Sequence, residues 1–318
     1  MQGQTVTLTS KIKIQMAGIS LLEYLCKRFP YKTKDAWIED IHVGRVVIND
    51  QKSNPQQCLK YQDEVSYTSV RHEPAVATNI ETIYEDQYIL VVNKPAPLPV
   101  HAQGVFILNT LIFMLRQKSG NQNLGLGHRL DRETTGIIVL AKQRELTGRL
   151  MARLEDPKAE KTYLTVVRGE VDFEEKLIQG WMGPSYNSTI NRRWELVQQQ
   201  RENYKYSATK FVLKRKLKGA SLLEGQLHSG RTNQIRVHLE SAGYPIVGDK
   251  LYGRKDEEYL NYLRHLEKRG PMDGGGDWDH PRQLLHSWKL SINHPVSNEH
   301  VHFEAPIPVD MQDYIDSH

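Results

Sequence analysis

The chain has 318 residues, 39% of them hydrophobic and 25% charged, with a net charge of +4 and two cysteines. That length supports a sizeable core and two domains, while the composition and the sparse Cys26 and Cys58 describe an ordinary globular protein and exclude a disulfide framework. No apolar run approaches the roughly 18–20 residues that span a bilayer, and "MQGQTVTLTSKIKIQ" lacks the apolar stretch of a secretory signal, so a cytoplasmic protein without membrane attachment is expected.

Residues 1–71 read as one module. Leu21, Leu22, Leu25 and Phe29 recur at helical spacing, and Trp37, Ile38 and Ile41 repeat the pattern before Gly44. "RVVIND" is a short strand ending at an Asn-Asp turn, and "DEVSYTSV" alternates as a second strand. Lys27, Arg28, Lys32, Lys34 and Arg45 interleave with the helix ends. Residues 72–79 are polar, aperiodic and carry Pro74, which reads as a linker.

From residue 80 to 318 the pattern changes. "ETIYEDQYILVVNKPAPLPVH" is strand-rich and broken by prolines, "TLIFMLRQK" reads as a helix, and "GIIVLAK" as a buried strand. "RELTGRLMARLE" puts Leu146, Leu150 and Leu154 on one helix face; "KTYLTVVRGEV", "YSATKFVLKRKL" and "LLEGQLHSG" are further strands. Strands and helices do not alternate strictly, so an α+β fold with a mixed sheet is expected rather than a doubly wound one. Residues 254–281 read as an insertion, a helix followed by a glycine-rich loop whose "GGG" has no phosphate-loop context.

Three places concentrate chemistry. "GHRLDRETTG", residues 127–136, sets Asp131 in a polar loop just before the buried strand; the acid either serves a site or merely pairs with Arg129 or Arg132 and caps turn amides. In "LHSGRTNQIRVHLESAGYPIVGD", residues 227–249, Arg231 and Arg236 flank Asn233 and Gln234. Read as a strand, "IRVHL" puts Ile235, Val237 and Leu239 on the core face and turns Arg236 and His238 the other way, toward a cleft or simply toward solvent. His228 and His238 in this segment are a weak metal signal. Tyr163 in "EKTYLTVVRGE" would on its own be a core or cross-strand residue.

Taken together these segments resemble the RluA-type RNA pseudouridine synthases, the branch marked by an HRLD signature. "HRLDRETTGIIVLAK" is similar to their central motif, "EDQYILVVNKPAPLPVH" to the upstream motif and "KTYLTVVRG" to the tyrosine motif. "SGRTNQIRVHLESAGYPIVGDKLYG" resembles the basic motif, and "PRQLLHSWKLSINHPV" with "FEAPIPVDM" the C-terminal segment. The amino-terminal module is similar to the S4 RNA-binding domain, a small α/β unit.

The resemblance implies a largely antiparallel mixed sheet and conversion of uridine to pseudouridine in structured RNA, with Asp131 as the catalytic carboxylate. It also implies Arg236 as the ion-pair partner of that acid and Tyr163 as a ring against the uracil that can assist proton removal from C5. Arg129 is implied to brace the gap left by the flipped base. His128, Arg231 and Asn233 are further RNA-contact candidates. So are Lys214, Arg215 and Lys216 of the basic strand, whose run is equally readable as a solvated face, and Lys27, Arg28 and Arg45 of the S4-like module. The reaction is redox-neutral, so no cofactor and no metal are implied. Ribosomal RNA of the large subunit is the favoured partner by analogy with S4-bearing members; transfer RNA, or a non-catalytic ribosome-assembly role, are the alternatives, and a monomer is the default. Asn233 stands where a histidine is usual, Ser229 for threonine, Thr135 for serine, Pro97 for glycine, and Asn49-Asp50 for Asn-Gly.

Overall fold

A computed structural model describes residues 4–30, 32–71, 73–267 and 278–318. The chain divides into two compact units, Met1–His72 and Glu73–His318.

The first unit comprises β1 (Gln4–Lys11), α1 (Leu21–Arg28), α2 (Lys34–His42), β2 (Val46–Ile48), β3 (Gln51–Lys52) and β4 (Glu64–Arg71). Its antiparallel sheet runs β1-β4-β2-β3. The opening strand was missing from the sequence expectation. Ser20 and Thr33 cap the two helices by accepting the backbone N–H groups of Glu23 and Ala36. Asn49 and Asp50, at φ 49° and 61°, form the left-handed pair that a two-residue hairpin requires, so the departure from Asn-Gly leaves the turn intact. Trp37, Leu21, Leu25 and Val46 close the core between helices and sheet.

The second unit comprises β5 (Glu81–Glu85), β6 (Ile89–Lys94), α3 (Leu111–Ser119), β7 (Gly125–Leu126), β8 (Thr135–Ala141), α4 (Thr147–Glu155), β9 (Glu160–Arg168), β10 (Glu175–Pro184) and β11 (Trp194–Val197). It continues with β12 (Lys205–Leu217), β13 (Ala220–Leu227), α5 (Gln234–Ser241), α6 (Asp256–Glu267), β14 (Leu285–Asn293), β15 (His300–Glu304) and α7 (Val309–Ser317). One 11-stranded sheet runs β11-β10-β12-β13-β9-β14-β8-β6-β5, with β15 on β14 and β7 on β8. Only the β14–β8 pairing among these is parallel, which makes the sheet mixed and the fold α+β.

The apolar run at β8 follows from burial of both its faces. Ile137 and Val139 pack with Leu146, just before α4, and with Leu150 and Leu154 of α4, whereas Ile138 and Leu140 pack with Leu111 and Leu115 of α3. Gly136, at φ +106°, carries the close approach of β8 to β14: a Cβ there would stand 2.2 Å from the Ser287 carbonyl oxygen. Farther along the sheet, Ile235 and Leu239 of α5 pack on Tyr163, Phe211 and Leu223.

Two expectations change. "QIRVHLES" is a helix, not a strand; Asn233 opens it in a left-handed conformation, and Gln234 through Leu239 are all buried. The segment after residue 72 is tied down rather than loose. The Glu73 carboxylate accepts the backbone N–H groups of Ile107, Leu108 and Asn109 at 2.8–3.0 Å, and the Ala77 N–H donates to the Pro97 carbonyl. The insertion supplies α6, while its "GGG" lies outside the described residues. Among the described residues no helix is long and apolar enough to cross a membrane.

Candidate active site

The loop between β7 and β8 is shaped by main-chain hydrogen bonds before any ligand is considered. Thr134 N–H donates to the Asp131 carbonyl, and the Arg132 carbonyl accepts from Leu98 N–H. Lys94, fully buried at the end of β6, donates from its side-chain nitrogen to the carbonyls of Pro95, Leu98 and Arg132. One buried lysine amine thus joins the proline-rich turn to the loop that carries Asp131. On the other side the buried Glu133 accepts from the Tyr262 hydroxyl at 2.6 Å and from Arg132 at 2.9 Å, and Gln283 donates to the Thr134 hydroxyl.

Asp131 projects from this frame with its side chain 38% exposed, and Arg236 Nη1 reaches its Oδ2 at 2.7 Å. Arg236 comes from α5 and is itself buried. Its other edge makes a two-pronged pair with the fully buried Asp249, Nε to Oδ2 at 2.7 Å and Nη2 to Oδ1 at 2.9 Å. Asp249 Oδ1 also accepts the backbone N–H groups of Leu251 and Tyr252. Burial alone would raise the Asp249 pKa; the Arg236 guanidinium and these donors reverse that, and the carboxyl is held below its ordinary value. Burial likewise works against charge on Arg236, but the carboxylates of Asp249 and Asp131 hold it firmly protonated. The Tyr252 ring lies 4.8 Å from the guanidinium carbon, and Asn233 bridges the two, donating to the Tyr252 hydroxyl and accepting from Arg236 Nη1. Arg236 is therefore fixed on one edge and presents the other to Asp131.

These groups open on a cleft of about 780 Å³ lined by residues 99–106, 129–133 and 191–192, by Asn233 and Arg236, and by Tyr259, Tyr262, Leu263 and Leu266 of α6. Tyr163 lies behind the lining, packed in β9 with Leu130 and Leu285. Burial pushes its hydroxyl pKa up to about 12, with Ser287 opposing and Asp131 adding to the rise.

A family model described as RNA pseudouridylate synthase matches residues 88–241, an interval that takes in Asp131, Tyr163 and Arg236. Ribosomal large subunit pseudouridine synthase D of Neisseria meningitidis serogroup A is 31% identical over 94% of this chain and 79% of its own length. This chain belongs to the RNA pseudouridylate synthase family. A second pseudouridylate synthase relative, ribosomal large subunit pseudouridine synthase D of Zymomonas mobilis, is 32% identical over 73% of this chain and 71% of its own. The solved human RNA pseudouridylate synthase domain containing 1 superposes with a TM-score of 0.57 at 25% identity, covering 74% of this chain and 86% of that one.

Within this pseudouridylate synthase the other sequence candidates separate. Arg129 is exposed on the cleft wall, and Arg231 is exposed but off the lining. His128 is turned inward: its Nε2 accepts the Val139 N–H at 3.2 Å, and burial lowers its pKa to about 4. It is a neutral group off the cleft lining. Lys214 and Arg215 pair with Glu224 and Asp316; with Lys216 they lie outside the cleft lining on β12. In the first unit Lys27 pairs with Glu23, Arg28 lies over the Phe29 ring, and Arg45 reaches the buried Asp40 at 2.8 Å.

Sequence reasoning missed Lys94, Glu133, Asp249, Tyr252 and Tyr262. Asp249 stood in the quoted "VGDKLYG", but nothing in its spacing pairs it with an arginine 13 positions earlier. The one available signal was indirect: an arginine on a buried face requires a counter-charge.

Proposed function

We propose that this protein converts uridine to pseudouridine in large-subunit ribosomal RNA, with Asp131 as the reacting carboxylate. The observation that carries the reading is the Asp131–Arg236–Asp249 chain: an acid on the cleft lining, held by an arginine whose other edge is already paired. Pseudouridine formation breaks the N1–C1′ bond, turns the uracil and joins C5 to C1′, while the C5 proton leaves and N1 gains one. The net change is an isomerisation. Asp131 serves either as nucleophile at the nucleoside or as acceptor of a sugar proton, and both need it ionised. Arg236 keeps it so when the incoming nucleotide displaces water, because guanidinium stays charged in a dry site. Tyr163 contributes ring surface at the back of the site; its hydroxyl stays protonated at neutral pH.

The target base must leave its stack to reach Asp131, at a cost of a few kcal/mol, and Arg129 on the cleft wall is the group that fills the gap. We assign the first unit an S4-like RNA-binding role through Arg28, Arg45 and Lys27. Ribosomal RNA is preferred over transfer RNA because relatives aligned along most of this chain carry large-subunit names.

The test is Asp131→Asn assayed by tritium release from 5-tritiated uridine in an unmodified large-subunit ribosomal RNA transcript. Wild type is expected to release tritium faster from this transcript than from a transfer RNA transcript, and the variant to stay at background. Wild-type rates in the variant would refute the assignment of Asp131.

A further inference from the structure

The cations around the cleft are unevenly compensated. Arg236 has two carboxylates, Arg132 has Glu133, and Lys250 has Glu133 and three carbonyls. Arg129 and Arg192 also line the cleft, both exposed, and neither makes an ion pair or hydrogen bond among the described residues. Arg129 already has a role in the reading above. Arg192 has none.

Its neighbour shows that this is not a property of a loose loop. Arg193 donates to the carbonyls of Leu251 and Arg254, pairs with Glu240 of α5 and Asp256 of α6, and stacks over Tyr252. Asp256 in turn accepts from the Ser188 hydroxyl at 2.7 Å and from the Thr189 N–H at 2.9 Å. The turn between β10 and β11 is thereby fastened to the start of α6. Arg193 is the fastening, and Arg192 is carried at the cleft edge by a fixed backbone. Beside it on the lining is Tyr259, whose hydroxyl makes no hydrogen bond among the described residues.

A guanidinium on a fixed backbone with no acid partner, in a cleft where Arg132, Arg236 and Lys250 are neutralised, is a site for an anion that arrives with the ligand. For an RNA ligand that anion is the phosphodiester, which matches the planar donor fork. We propose that Arg192 binds a backbone phosphate of the RNA strand carrying the target uridine, from a different loop than the one that bears Arg129. The proposal rests on the reading of this cleft as an RNA pseudouridine synthase site. It adds a binding residue that fixes the path of the strand past Asp131, and Arg193, Asp256 and Glu240 are its positioning residues.

Full-length wild type, Arg192→Ala, Arg192→Lys and Arg192→Glu are compared on the large-subunit ribosomal RNA transcript, with tritium release read as kcat and KM and filter binding read across about 50 to 200 mM salt. Loss of one phosphate contact predicts a rise in KM of about tenfold for R192A, a kcat change below about threefold, and a salt slope shallower by about one. R192K is expected to fall between wild type and R192A, and R192E to bind worst, with thermal midpoints unchanged in all three. KM and salt slope at wild-type values in R192A and R192E overturn the proposal. If wild type is active and D131N inactive in the same assay, that failure touches Arg192 alone. If wild type itself releases no tritium, the parent reading fails, and unchanged binding slopes would still count against Arg192.

Discussion

Asp249 shows how a buried residue off the cleft lining can govern the acid proposed to react. Its carboxylate is fully buried and takes four donors: two from Arg236 and two backbone N–H groups. Replacing it with asparagine keeps the shape but removes the charge and turns an amide N–H toward a guanidinium N–H. Arg236 would then be a buried cation whose one remaining carboxylate partner among the described residues is the partly exposed Asp131. Loss of one member of a buried pair costs about 3–5 kcal/mol, so Asp249→Asn is expected to lower the thermal midpoint by roughly 10 °C, at about 2–4 °C per kcal/mol for a unit of this size. Pseudouridine formation at a temperature where the variant remains folded is also expected to fall. A midpoint within 2–3 °C of wild type would show that the pair contributes little to the fold.

The elements differ in how openly the chain declares them. β8 was legible because "GIIVLA" is buried on both faces and so reads as a continuous apolar run. α5 was not: Ile235, Val237 and Leu239 alternate as in a strand, and five residues fit either period. What decides for helix is the left-handed Asn233 at its start and the burial of Arg236 by Asp249, a contact made only in the folded chain. The proposed acid, tyrosine and arginine, Asp131, Tyr163 and Arg236, stood in motifs, whereas the buried partners around them did not announce themselves. α1 presents the opposite case, a polar end with two readings. Lys27 and Arg28 complement the helix C-terminus electrostatically, an effect of about 0.3–1 kcal/mol, and they also suit RNA phosphate. Arg28→Glu separates the two. A helix-end role predicts a small loss of stability with RNA affinity unchanged, and the RNA-binding role predicts weaker binding with a salt slope shallower by about one. The second outcome is expected, because Arg28 is exposed and has no acid partner among the described residues.

Across the catalytic unit, the sheet is held together partly by histidines that the interior keeps neutral. His286 of β14 shares a hydrogen bond at 2.9 Å with Thr135 at the start of β8, four positions beyond Asp131. His238 of α5 shares one at 2.9 Å with Ser207 of β12. Both are fully buried, and burial depresses each pKa from 6.5 to about 4. A histidine so depressed stabilises the fold at pH above its unfolded value, where both states are neutral. As pH falls from 6.5 toward 4 the unfolded chain takes up protons that the folded chain refuses, so stability declines through that window. Around pH 5 each contributes a slope of about 1.2 kcal/mol per pH unit, or about 2.4 for the pair, against a total stability of about 5–15 kcal/mol for a domain. Denaturant unfolding followed at several pH values between 7.5 and 4.5 is therefore expected to show a steep loss of stability below pH 6.5, and His286→Gln is expected to reduce that slope by roughly one proton. A stability flat over this range would mean that these rings are solvated or already charged in the folded protein. Because His286 pins the strand that follows the Asp131 loop, activity in acid is expected to fall with the folded fraction.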